Sequence, residues 1–86
     1  EYYVNYGSAL IQSRRLDDAV RALAVAVRLD PRAANAHNNL GIAFAQQQML
    51  PQARQAFERA LQLDPAHANA KRNLELTLQV LKTGRP

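Results

Sequence analysis

Leu29-Asp30-Pro31-Arg32-Ala33-Ala34-Asn35-Ala36 returns thirty-four residues on as Leu63-Asp64-Pro65-Ala66-His67-Ala68-Asn69-Ala70. Six of these eight positions are identical, and the register holds upstream. Asn5 meets Asn39, Gly7 meets Gly41, Ala9 meets Ala43, Gln12 meets Gln46, Leu16 meets Leu50, and Ala19, Ala22 and Ala26 meet Ala53, Ala56 and Ala60. A third copy opens with Asn73 and Leu74 against Asn39 and Leu40, then diverges. A fixed period of this length marks stacked supersecondary units, each too small to bury its own apolar face.

Within each unit the apolar spacing is helical. Tyr3, Tyr6, Gly7 and Leu10 fall at i, i+3, i+4 and i+7, and Ala19, Leu23, Ala26 and Val27 repeat the spacing after a short break. Asp17 and Asp18 in one copy and Pro51 in the other suit a first helical turn, which favours a carboxylate and tolerates a missing N–H. Asp30-Pro31 and Asp64-Pro65 close each unit, because the residue before proline is pushed out of the helical region. The pattern predicts helices near 2–14, 17–29, 35–48, 51–63 and 68–82, an all-α chain with no strand.

Composition narrows the function. The 86 residues make one small domain, and aromatics at 6% leave only thin helical layers for a core. No cysteine is present, which removes disulfides, thiol chemistry and Cys-bearing zinc sites and leaves the compartment open. Apolar runs stop well short of the roughly 20 residues a spanning helix needs. The net charge of +4, with nine of eleven cations Arg, is compatible with an acidic partner without requiring one.

Read as His37-x2-Leu40-Gly41-x2-Phe44, then Ala53-x3-Phe57, then Pro65, the middle copy resembles the tetratricopeptide repeat. Tyr3, Tyr6, Gly7, Leu10, Ala19, Leu23 and Pro31 carry the same resemblance in the first copy, so it covers essentially the whole chain. It implies an α-α superhelix, or solenoid, forming a single domain over 1–86: repeat 1 at about 1–33, repeat 2 at about 34–67 and a capping helix at about 68–83.

The residue types also make physical sense alone. Small residues at Gly7 with Ala19, and at Gly41 with Ala53, let two antiparallel helices approach to the short end of roughly 8–10 Å, and Leu10 with Leu23 and Phe44 with Phe57 fill the space beside the crossing. His37 stands in the large aromatic position and is expected to pack between helices. Glu75 replaces the glycine in the third copy and is expected to face water, with Leu74, Leu78 and Leu81 covering the preceding hairpin. The chain opens inside a helix with no start methionine, which suggests an excerpt.

The resemblance further implies that first helices line a concave side, where the second, fifth, sixth, ninth, twelfth and thirteenth repeat positions meet a ligand. The polar residues there are the expected peptide-binding set: Asn5, Ser8 and Gln12 in the first unit, Asn35, Asn38, Asn39 and Gln46 in the second, and Asn69, Arg72 and Asn73 in the cap. Glu1, Val4, Ile11, Ile42, Ala45, Leu76, Gln79 and Val80 complete the face. Asn5, Asn39 and Asn73 recur once per unit, and an amide carries both donors and an acceptor, so it can pair with extended backbone of any side-chain sequence. This is similar to the asparagine ladder in the superhelix of O-linked N-acetylglucosamine transferases. The carboxylate clamp for chaperone C-termini needs two Lys, two Asn and an Arg; its places hold Val4, Ser8, Asn39, Asn69 and Asn73, so that partner is disfavoured.

No other chemistry is legible. His37 and His67 stand thirty residues apart with no Cys and no nearby paired carboxylates, so no metal or cofactor is expected. Ser8 and Ser13 lack a base and an oxyanion hole, which argues against an enzyme. The arginines are dispersed rather than striped among aromatics, so nucleic acid is a poor fit. The expectation is a protein or peptide partner held in the groove. The rival is a homo-oligomer formed through an uncovered N-terminal edge around Tyr2 and Tyr6.

Overall fold

The computed structural model describes residues 2–85 and consists of five helices: α1 (Tyr2–Gln12), α2 (Leu16–Leu29), α3 (Ala34–Gln46), α4 (Leu50–Leu63) and α5 (Ala68–Thr83). No strand occurs among the described residues. α1 pairs with α2 and α3 with α4 as antiparallel hairpins, α2 packs on α3, and α5 lies on α4. The all-α solenoid expected from the period is the architecture found.

α1 and α3 each stop two residues short of the ends expected from the sequence, for a local reason. Arg14 and Gln48 adopt left-handed backbone, both at φ 64°. Arg14 N–H donates to Ile11 C=O and Arg15 N–H to Leu10 C=O; one repeat later Gln48 N–H donates to Ala45 C=O and Met49 N–H to Phe44 C=O. These paired bonds form a Schellman turn, which satisfies carbonyls at a helix end. Glycine usually marks that position, so an Arg and a Gln hid it.

The unit junctions form as the Asp-Pro pairs imply. Asp30 and Asp64 sit in extended backbone at φ −140° and −143°, and their carboxylates accept from the Arg32 and Ala66 N–H groups at 3.3 and 3.1 Å. Each carboxylate thus stabilises the turn past its proline. Ala33, at the N-cap of the next helix, offers no side-chain cap, but at the equivalent His67 the ring Nδ1 accepts from Ala70 N–H at 3.1 Å. His67 is therefore an N-cap, with its proton on Nε2.

Close packing follows the glycines, with a correction to what lies over them. A Cβ on Gly7 would sit 2.5 Å from Leu23 Cγ, and one on Gly41 would sit 2.5 Å from Phe57 Cε1. The glycines therefore accommodate the large side chain of the second helix, while Ala19 and Ala53 are fully buried. Burying a ring such as Phe57 contributes about 1.5–3 kcal/mol, which a displaced ring would forfeit in part. Leu10, Ile11, Ala19, Ala22 and Leu23 form one cluster with Ala43 of the next unit, so the core is shared across the repeat boundary.

α5 departs from the expectation on one point. Glu75 is exposed as anticipated, but Leu78 and Leu81 remain 43% and 39% exposed, and it is Ala70 and Thr77 that are buried against the preceding hairpin. The Thr77 hydroxyl, inside this contact, donates to Asn73 C=O at 2.8 Å and leaves no unpaired group. Gly84 closes the helix in left-handed backbone at φ 73°, with its N–H donating to Val80 C=O.

Candidate functional site

The first helices sit side by side. α1 touches α3 and α3 touches α5, whereas α2 and α4 make no contact with one another among the described residues. Elements that touch lie on the inside of a curve and elements that splay lie on its outside. α1, α3 and α5 therefore form the inner wall, and residues sharing a repeat position on them project alike.

Ten polar side chains were expected on this wall, and the structure sorts them. Asn5, Gln12, Asn69 and Arg72 are exposed, Ser8 and Asn39 are half-buried, and none of the six has a side-chain hydrogen-bond partner among the described residues. The other four are engaged within the chain. Asn38 is only 4% exposed, and its Oδ1 accepts from Asn73 Nδ2 at 3.0 Å, tying α3 to α5. Asn35 Oδ1 accepts from His67 Nε2 at 2.7 Å, and Gln46 Oε1 accepts from Arg14 Nη1 at 3.0 Å. Glu1 lies outside the described residues.

Asn38 owes its burial to the cap. Its equivalents in the register are Val4, half-buried, and Arg72, exposed, so position within the repeat does not make it internal; α5 packing over α3 does. Arg14 and His67 were not among the expected site residues. Arg14 reaches the second unit, and His67, at the start of α5, reaches back to α3, each through a hydrogen bond that no local sequence signal announces.

Apolar recesses interrupt the polar wall. Between α3 and α5, a cavity of about 160 Å³ has Ile42, Ala45 and Leu76 on its sides, Phe57 and Thr77 beneath, and Gln46 and Asn73 at its rim. Leu76 is 49% exposed and also borders a second recess, with Leu50 and Val80, of about 270 Å³. At the other end of the helices a cleft of about 260 Å³ runs from Tyr3 and Val4 past Asn35 to the junction carboxylates Asp30 and Asp64 and to His67.

The expected aromatic packing of His37 takes a different form: the half-buried ring donates from Nε2 to Pro31 C=O at 3.0 Å, bracing its own junction. No group of three or more His, Cys, Asp or Glu side chains that could hold a metal occurs among the described residues. No described helix is long and apolar enough to cross a membrane. On the N-terminal edge Tyr2, 70% exposed, stacks on Tyr6 with ring centres 6.1 Å apart and meets Tyr3 edge-on at 5.0 Å.

Two of the solved structures that share this arrangement are TPR proteins. The first TPR of Spaghetti (RPAP3), solved bound to the HSP90 peptide SRMEEVD, superposes with a TM-score of 0.91 at 27% identity, over 94% of this chain and 64% of that one. YrrB, described as a TPR protein with an unusual peptide-binding site, superposes with a TM-score of 0.86 at 26% identity, over 93% of this chain and 41% of that one. The chain thus spans less than two thirds of the length of either. No curated protein matches it in sequence. The tetratricopeptide repeat family matches residues 6–71. With that match across most of its length, and hairpins whose first helices line a common inner wall, the chain belongs to the tetratricopeptide repeat family of non-catalytic protein-interaction scaffolds.

Proposed function

We propose that this chain holds an extended segment of a partner protein against the inner wall of α1, α3 and α5, with no chemistry of its own. The observation that carries the reading is the recurrence of Asn5, Asn39 and Asn73 at one repeat position on three adjacent helices. Helices about 10 Å apart match about three extended residues at ~3.3–3.6 Å each, so three rungs take about six or seven residues. Asn5 and Asn39 have both donor and acceptor available, and Asn73 keeps its carbonyl oxygen while its amide serves Asn38. Asn38 is left out of the contact set because it is buried.

Peptide binding in both similar structures supports the class of ligand. The ligand itself differs from the chaperone tail, because Val4, Ser8, Asn69 and Asn73 stand where cations and an amide would grip a terminal carboxylate. Affinity capture from a lysate followed by peptide arrays identifies the segment. Calorimetry of that segment against Asn39→Ala then tests the ladder: about a fivefold to tenfold loss is expected from one unpaired backbone group, and unchanged affinity rejects the reading.

A second reading, self-association through the N-terminal edge, draws on the exposed Tyr2 and Tyr6 rings. Sedimentation showing only monomer up to millimolar concentration eliminates it.

A further inference from the structure

Leu76 is an apolar side chain on the wall of a polar groove, and nearly half of it is exposed. Beside it, the recess between α3 and α5 is almost wholly apolar, with Ile42 and Ala45 opposite and the Phe57 ring beneath. Its volume of about 160 Å³ falls below the roughly 300–1,000 Å³ of small-molecule sites. That size suits one aliphatic side chain. Its rim is formed by Asn73, the residue that serves as a rung of the proposed ladder, so backbone paired there passes over the opening.

Arg72 adds a second constraint. It is the one ionisable side chain among the described residues at the expected groove positions, and it forms no ion pair there. It lies one helical turn before Leu76, about 5–6 Å away by helix geometry. Helix geometry turns it about 100° round α5 from Asn73, so it flanks Leu76 on the side opposite the recess. In an extended ligand, residues two apart project to the same side and are separated by about 6.4–6.8 Å. A chain that drops a side chain into the recess and crosses the Leu76 ridge therefore brings the residue two positions along to Arg72.

Resting on the peptide-groove reading above, we infer that the α3–α5 recess and Arg72 together select an internal segment with an aliphatic residue two positions from an acidic one. The aliphatic side chain enters beside Ile42 and Leu76, and the carboxylate pairs with the Arg72 guanidinium. No terminal carboxylate takes part. The net charge of +4 favours the approach of such a segment.

Fluorescence anisotropy with a labelled, C-terminally amidated ten-residue peptide of Ser, Gly and Asn carrying Leu-Ser-Asp at its centre tests this, with the reversed order Asp-Ser-Leu alongside. One order binds; replacing its Leu by Ser weakens binding about tenfold, and replacing its Asp by Ser about threefold. Leu76→Ser, at an exposed position that leaves helicity unchanged by circular dichroism, abolishes the preference for Leu over Ser. Arg72→Glu weakens the parent peptide and restores binding when the peptide Asp is replaced by Lys. Equal binding of all peptides, or a Leu preference that survives Leu76→Ser, overturns the subsite while leaving backbone recognition standing. Binding of no peptide in either order overturns this inference, and loss of the Asn39 effect on a captured segment is what overturns the groove itself.

Discussion

The Asn73 side-chain amide donates to Asn38 Oδ1 at 3.0 Å, from the last helix to the middle one, and Asn38 is only 4% exposed. A buried amide acceptor that loses its donor forfeits both the bond and its hydration. The pair therefore couples the seating of α5 to the shape of the groove, because Asn73 also rims the apolar recess.

Asn38→Ala is expected to destabilise the fold by about 1–2 kcal/mol in urea unfolding, the cost of stranding a partly buried partner. Asn73→Ala costs a similar amount. The double variant costs less than the sum, and strict additivity would show that the bond carries no coupling.

Gly41→Ala places a methyl group 2.5 Å from Phe57 Cε1. The ring has to move within a filled interior, so a loss of about 1–3 kcal/mol is expected. Phe57→Leu in the Gly41→Ala background recovers part of it. A thermal midpoint for Gly41→Ala equal to the parent would refute this packing.

Gln48→Gly is expected to stabilise by up to about 1 kcal/mol, since φ 64° is strained for a side-chain-bearing residue and unstrained for glycine. Arg14→Gly, at the equivalent turn, gains less because it also removes the bond to Gln46. Chemical denaturation midpoints rank the two.

His67→Ala turns the second junction into a copy of the first, where Ala33 stands uncapped. Loss of the Nδ1 acceptor for Ala70 N–H is expected to cost about 1 kcal/mol, and the Asn35 bond goes with it. Amide exchange should accelerate first at Ala70. Unchanged protection there would mean the ring does not cap.

Asp18 accepts from the Arg15 guanidinium at 2.7 Å and also pairs with Arg21, and these bonds hold its carboxyl below the usual carboxylate range. A group whose folded pKa is depressed contributes stability above its unfolded pKa and loses it as pH falls through the folded value. The acid limb of the stability curve, below about pH 4, should therefore flatten in Asp18→Asn. The change is small because all three side chains reach solvent.

Periodicity in the chain made the number of helices, their pairing and the repeat register legible, because each of these depends on which residues recur and on where proline interrupts them. The Asp-Pro junctions follow from backbone sterics that no distant contact alters, and Gly7 and Gly41 recur one period apart, although the side chain each one accommodates is set by the second helix. Helix ends at Gln12 and Gln46 were not legible, since the left-handed residue that terminates each helix is Arg14 or Gln48 rather than glycine. Nor was the packed face of α5: the leucines outweigh Ala70 and Thr77 in any hydropathy reading, yet Ala70 and Thr77 are enclosed, Leu74 is half-buried, and Leu78 and Leu81 reach solvent.

Among the expected groove residues, the local pattern could not tell Asn38 from Asn39. Both are polar, adjacent and helical, and their difference arises when α5 settles on α3 and encloses one of them. The sequence by itself determined a stack of hairpins with a repeating amide on each first helix, because spacing and small residues act locally. Which amides remain available to a ligand, and where an apolar recess opens between them, was decided only by the tertiary structure, because burial and partnership depend on the neighbour that packs against each side chain.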